Sequence, residues 1–272
     1  MKRMDTKRIT VLIMAAGTGG HVFPALSIAE SLRKQSVNVE WLGTPFGMEN
    51  TLLAATDIPL HQISIKGLRG SGLVRKLTAP FMLCMAFFQS FSVIRHVRPD
   101  CVLGMGGFIC GPAGLAAKLL KKPLLIHEQN AVAGLTNNLL SKVSIKVFEA
   151  FPNTFNKEIN AVHTGNPLRA EIFDIDKAEV DVNSNSMLKL LVLGGSQGSA
   201  AINKVIPEIA ANWAESGILS IRHQTGNATL EETAQHYKKL GMQLDNNIVL
   251  EPFIKDMVSA YKWADIVICR SG

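Results

Sequence analysis

Residues Met14 to Ala25, MAAGTGGHVFPA, place three glycines and a histidine directly after an apolar run and directly before a helix-like stretch. Glycine lets backbone N–H groups approach a phosphate without a Cβ in the way, and a helix N-terminus aims unpaired amides at the same anion. In this loop Thr18 adds a hydroxyl, and Gly19 and Gly20 supply bare amides. His21 opens the helix, where the positive helix end disfavours imidazolium and leaves a neutral ring able to take a proton from an attacking hydroxyl. The same histidine reads equally as a cap or a core residue. Glycine-rich loops recur after two more apolar runs. GMGGFICG follows CVL with Gly106 and Gly107 at its centre, and GGSQGS follows LKLLVL, with Ser196 offering a hydroxyl to a ligand or to the helix N-cap.

HEQN, His127 to Asn130, ends a buried apolar run with four polar side chains, which is costly unless they face a ligand or bond one another. Side chains alternate along a strand, so only part of the set can face a ligand. Glu128 is a second candidate general base, and the choice between His21 and Glu128 stays open at this level. Arg169, after the Gly-Asn-Pro corner of GNPLR, is a candidate to bring positive charge to an anionic ligand. A dinucleotide fingerprint fails, because Val22 stands where G-x-G-x-x-G needs its last glycine after Gly17 and Gly19. No glycine run leads into Lys-Ser or Lys-Thr, which removes the P-loop. The Asp-x-Asp string Asp174-Ile175-Asp176 falls in an acidic linker, so neither a metal site nor a cofactor is expected.

These residues need elements to hold them. Strand-length apolar runs (ITVLIM, VEWLG, CVLGMGG, PLLIHE, IKVFEA, then LKLLVLGG, ILSIRHQ, NIVLEPF, ADIVICR) alternate with helix-length amphipathic stretches. That alternation predicts an α/β protein with parallel, doubly wound sheets and ligands at the strand C-termini. The polar stretch DIDKAEVDVNSNS, Asp174 to Ser186, reads as a linker, giving domains 1–166 and 167–272. With 28 Lys+Arg against 22 Asp+Glu, the formal charge of +6 suits a phosphate-bearing ligand or an anionic surface. Aromatic content of 6% offers little for stacking bases, so no nucleic-acid partner is expected. The four cysteines lie in or beside apolar segments and read as reduced thiols, and VLIMAA after the basic start is too short for a signal-peptide core. From Lys66 to Arg98 there are Lys66, Arg69, Arg75, Lys76, Arg95 and Arg98 but no acid. Between them LTAPFMLCMAFFQSFSVI falls short of a continuous bilayer span and fits a peripheral contact with anionic lipid, or a crossover helix with this surface in the core. The basic flanks are the stronger membrane candidates.

Taken in order, GTGGHVFPAL, WLGT, GLRG, VLGMGGF, GPAGLAA, HEQNAVAGLTN, GNPLR, GGSQGS and AYKWADIVICRSG closely resemble the MurG family of bacterial transferases. The resemblance runs from about Ile9 to the last residue, with Ala16 and Ser199 as small departures. It implies two facing Rossmann-like domains of the glycosyltransferase B type, the second incomplete. It further implies an inverting transfer of N-acetylglucosamine from UDP-N-acetylglucosamine to the undecaprenyl-pyrophosphoryl-muramyl-pentapeptide, UDP leaving without a metal. The acceptor would lie with the N-terminal domain and the nucleotide sugar with the C-terminal one, at the cytoplasmic face of the membrane. By the same resemblance the Thr18-Gly19-Gly20 loop reaches the donor sugar and the acceptor's phosphates, Asn130 and Arg169 contact the donor, and the backbone of Ile254 reads uracil. Arg270 lies near a phosphate-binding helix. The family pattern continues past Gly272 through a helix and a glutamine-bearing segment, so turnover by these 272 residues is a separate expectation. The alternatives are an inactive remnant that keeps acceptor or membrane binding, and a UDP-sugar epimerase of the same architecture, which HEQN and GNPLR disfavour.

Overall fold

The run TVLIM forms the first strand because β-branched and aliphatic side chains suit a sheet covered on both faces. In a computed structural model, which describes residues 8–65, 73–173, 175, 187–195, 198–214 and 219–270, with no side-chain description at 73–77, 170, 173 and 214, the chain divides into two compact units. They are Met1–Arg169 and Ala170–Ser271. The first contains β1 (Thr10–Met14), α1 (Gly19–Lys34), β2 (Asn38–Gly43), α2 (Glu49–Leu53), β3 (Leu60–Gln62), α3 (Leu73–Val97), β4 (Cys101–Gly104), α4 (Cys110–Leu119), β5 (Leu124–Glu128), α5 (Leu135–Ser141), β6 (Lys146–Glu149) and β7 (Val162–His163). The second contains α6 (Ala170–Phe173), β8 (Leu188–Leu193), α7 (Ala200–Ala214), β9 (Leu219–Gln224), α8 (Leu230–Lys239), β10 (Ile248–Glu251), α9 (Met257–Trp263) and β11 (Ile266–Cys269).

Both sheets are parallel and doubly wound. The first has the order β3-β2-β1-β4-β5-β6-β7, so the chain winds outward from β1 and then crosses back to β4. Met14 pairs with Gly104 at the ends of these central strands. Their glycine loops therefore leave the sheet side by side at a topological switch point, where ligands of open α/β sheets bind. The second sheet, β10-β9-β8-β11, repeats the device with its switch between β8 and β11.

Strand alternation divides the first core in two. Leu12 and Met14 join Ala86, Ile94, Ala113, Ala116 and Leu140 of α3, α4 and α5, while Val11 and Ile13 join Val22, Ala25 and Ala29 of α1. The short edge strands β3 and β7 were not anticipated from periodicity. Pro24, which suits a first helical turn, lies at the sixth position of α1. A proline there cannot donate to the carbonyl four residues back, that of Gly20, so the helix forgoes one bond at this turn. Apart from Ile175, the predicted linker 174–186 lies outside the described residues.

Candidate active site

Beyond β1 the backbone turns through Gly17 at φ +95°, a conformation open to glycine at little cost. Its amide donates to Glu49 Oε2 at 3.2 Å. Glu49 is fully buried, and its Oε1 takes Thr44 N at 2.8 Å and Thr44 Oγ1 at 2.9 Å. Added Cβ atoms at Gly43 or Gly47 would run into this side chain, so two glycines make its berth. Glu49 thus ties the first glycine loop to the segment entering α2. No role for it was read from the sequence; the spacing Gly43, Gly47, Glu49 was the available signal.

Thr18 is the extended N-cap of α1, exposed, with no side-chain capping bond. Its carbonyl accepts His21 N at 3.2 Å and Val22 N at 3.3 Å. Gly19 and Gly20 occupy the first turn, whose amides have no intrahelical acceptor. His21 follows, partly buried, with Nδ1 3.1 Å from Gln129 Oε1. The second glycine loop closes over the ring. Gly106 (φ +95°) and Gly107 (φ +81°) approach so closely that a Cβ on Gly106 would lie 3.0 Å from His21 Cε1, and one on Gly107 would lie 3.6 Å from Cδ2. The loops after β1 and β4 are therefore built around one imidazole, with Gln129 from the end of β5 on its Nδ1 side.

The remaining members of HEQN bond one another. Glu128 is 1% exposed. Its Oε1 accepts Asn130 N at 3.1 Å and Asn130 Nδ2 at 2.8 Å, and its Oε2 accepts Gly134 N at 3.0 Å and Asn137 Nδ2 at 2.9 Å. Four donors on one buried carboxylate make it the hub of the β5–α5 loop and engage both of its oxygens. Asn130 belongs to this hub through its side-chain amide. His127, also buried, holds Gly165 O at 3.2 Å through Nε2, and burial lowers its pKa, favouring the neutral ring. Gln129, read from the sequence only as part of a polar quartet, bridges His127 and His21. Arg169 stacks its guanidinium 5.3 Å from the Phe23 ring centroid, and Phe23 in turn packs at Gly19. Thr18, Gly19, Gly20, His21, Gly106, Gly107, Glu128, Asn130 and Arg169 are all held by the first unit.

In the second unit Ser196 lies outside the described residues. Ile254, whose backbone the resemblance assigns to uracil, is 1% exposed, and its amide donates to Gln224 Oε1 at 2.8 Å. Gln224 Nε2 donates in turn to Gly195 O at 2.9 Å, so one strand-end glutamine joins the third glycine loop to the Ile254 segment. Arg270 is exposed immediately after β11. Among the described residues no group of His, Cys, Asp and Glu could hold a metal ion.

The arrangement offers an imidazole nitrogen beside two glycine turns, a setting for proton removal next to an anion. The chain as a whole is similar to known proteins. The profile of the glycosyltransferase family 28 N-terminal domain matches residues 11–149 and that of its C-terminal domain matches 189–272. A relative from Marinobacter nauticus, UDP-N-acetylglucosamine--N-acetylmuramyl-(pentapeptide) pyrophosphoryl-undecaprenol N-acetylglucosamine transferase, is 47% identical over 269 residues, covering 98% of this chain and 73% of the relative. The crystal structure of Acinetobacter baumannii MurG is 42% identical with a TM-score of 0.67, covering 97% of this chain and 73% of that one. A UDP-GlcNAc 2-epimerase from Neisseria meningitidis, solved with UDP-GlcNAc bound, has a TM-score of 0.64 at 16% identity over 96% of this chain and 77% of its own, a likeness of fold alone.

Proposed function

The chain belongs to the MurG family within glycosyltransferase family 28, and from that premise we propose that it transfers N-acetylglucosamine from UDP-N-acetylglucosamine to the muramyl-pentapeptide pyrophosphoryl-undecaprenol acceptor of peptidoglycan synthesis. The observation that carries this is 47% identity, along 98% of the chain, to a relative bearing that activity in its name. The geometry of the first unit supports a division of labour for the reaction.

In this reading His21 Nε2 takes the proton from the acceptor sugar hydroxyl as that oxygen attacks the anomeric carbon of the donor. The bond from that carbon to the diphosphate oxygen breaks, UDP leaves, and the sugar inverts. Amides at Thr18, Gly19 and Gly20 and at the Gly106-Gly107 turn face the charged groups, because fixed N–H dipoles stabilise developing phosphate charge without reorganising. Arg169 adds positive charge to the donor side. Glu128, with both oxygens engaged by protein donors, positions Asn130 instead of removing the proton. Ile254 contributes its carbonyl to the uracil, since its amide is already bonded to Gln224. Ser196 and Arg270 serve the nucleotide phosphates.

A lipid-linked acceptor stays at the bilayer, and α3 is the element fitted to reach it. The window Thr78–Val97 has a mean hydropathy of 1.2, long and apolar enough by composition to cross a membrane. Ala86, Ser90 and Ile94, four residues apart and fully buried, instead dock it on the first core. The opposite side leaves Phe81 73% and Phe88 64% exposed, beside a groove of about 520 Å³ that also touches Cys84, Met85, Gln89 and Ser92. The apolar middle is thus shared between core and surface, and these phenylalanines join the basic flanks as membrane candidates. Lys66 and Arg69 and the side chains of Arg75 and Lys76 lie outside the described residues, while Arg95 and Arg98 are exposed. The reading is of a peripheral enzyme on an anionic cytoplasmic surface.

The test is transfer of labelled N-acetylglucosamine from UDP-N-acetylglucosamine to a short-chain lipid-linked acceptor, with the configuration of the new bond read by NMR. An inverted, β-linked disaccharide is expected; an altered free nucleotide sugar with no transfer would move the assignment to an epimerase.

A further inference from the structure

We infer that Gln129 is a positioning residue that fixes which nitrogen of His21 carries the proton, an inference that rests on the reading of His21 as the general base. A neutral imidazole has one N–H and one lone pair, and the hydrogen bond made by one nitrogen decides the role of the other. In water the Nε2–H form predominates, which would leave Nε2 without a lone pair to accept anything. His21 must be held in the less common Nδ1–H form for Nε2 to act as a base.

The hydrogen-bond chain on this side of the ring sets that form from its far end. Gln129 is 6% exposed, and its Nε2 lies 3.2 Å from the His127 carbonyl, a group that only accepts. The amide nitrogen must therefore face His127, which turns Oε1 to His21 Nδ1 at 3.1 Å. The same amide nitrogen lies 3.1 Å from His127 Nδ1, so that nitrogen accepts and the His127 proton sits on Nε2, which donates to the Gly165 carbonyl at 3.2 Å. Two backbone carbonyls, at residues 127 and 165, thus propagate a single donor direction through His127 and Gln129. An amide oxygen is too weak a base to take the proton from Nδ1, so none passes along the chain. When Nε2 gains a proton, the Nδ1–H to Oε1 bond becomes charge-assisted and steadies the imidazolium. Gly106 and Gly107 lie against the ring, so closely that a Cβ on Gly106 would come within 3.0 Å of Cε1 and 3.2 Å of Nδ1.

The test is a long-range 1H–15N spectrum of the folded chain labelled with 15N-histidine, recorded at alkaline pH, with His21→Ala assigning the signal. The wild type is expected to show His21 as the Nδ1–H tautomer. Gln129→Met, which keeps length but removes the acceptor, is expected to shift it to Nε2–H and to lower kcat about tenfold with KM little changed. Gln129→Glu, which still offers an oxygen, is expected to retain Nδ1–H. An Nε2–H signal in the wild type, or an unchanged tautomer and kcat in Gln129→Met, would overturn the inference. Undiminished transfer by His21→Ala would instead overturn the base reading, and the spectrum, which needs no turnover, tells the two failures apart.

Discussion

Glu128 Oε2 lies 2.9 Å from Asn137 Nδ2, a contact that pins the end of β5 to α5. With Asn130 and Gly134 on its other acceptor positions, this carboxylate does structural work. Glu128→Gln turns an NH2 toward a donor and is expected to cost about 2 kcal/mol of stability. Urea unfolding measures that loss, and the acid limb of the kcat/KM pH profile should stay where it is. A drop in kcat of a thousandfold or more with stability intact would return Glu128 to the role of base.

Gly106 has φ +95°, and a Cβ there would lie 3.0 Å from His21 Cε1 and 3.1 Å from Asn137 Nδ2. Gly106→Ala should combine backbone strain of about 1–2 kcal/mol with displacement of the imidazole. Transfer is expected to fall about 100-fold, because small misplacements of a reacting group carry penalties of that order. Steady-state kinetics beside a thermal melt separates the two effects. Wild-type kcat in the variant would mean that the ring does not need its berth.

His223 is fully buried between Asn203 Oδ1, 3.1 Å from Nε2, and Tyr237 Oη, 3.2 Å from Nδ1. Burial lowers its pKa from 6.5 to about 4. The unfolded chain then binds the proton more readily, so this contribution to stability is complete above pH 6.5 and is lost as pH falls toward 4. At about 1.4 kcal/mol per pH unit, the loss approaches about 3 kcal/mol. Urea midpoints between about pH 4.5 and 7.5 should decline less steeply on acidification in His223→Asn than in the wild type. Equal slopes would place the acid sensitivity elsewhere.

Phe81 and Phe88 are 73% and 64% exposed, so replacing them removes little from the folded interior. The double variant Phe81→Ser, Phe88→Ser should melt within a few degrees of the wild type yet bind vesicles containing anionic phospholipid at least about tenfold more weakly, since each buried phenylalanine contributes about 1.5–3 kcal/mol. Sedimentation with vesicles reads this directly. Unchanged binding would assign the membrane contact to the basic residues alone.

The central strands were legible because runs such as TVLIM and LKLLVL are long, apolar and closed by glycines. β3, three residues reading LHQ, and β7, two residues reading VH, are too short to carry a period. His21 and the glycine loops stood out as candidates because helix openings and missing side chains leave a mark in sequence. The individual roles of Gln129, Glu49 and Gln224 could not be read in this way. Each is a buried polar group with a partner 108, 32, and 29 or 30 residues away respectively, brought to it only by the folded sheet. Local spacing carries no record of such pairings, and a glutamine at a strand end looks like any other loop residue.

The most direct test of the account is the transfer rate of His21→Ala against the wild-type sequence, measured in this chain and in the same sequence continued with the C-terminal segment of the Marinobacter nauticus relative. General-base removal is expected to cost at least about 100-fold in kcat while the affinity for UDP-N-acetylglucosamine, read by calorimetry, stays unchanged. A His21→Ala protein that transfers at the wild-type rate would contradict the assignment of the proton to His21.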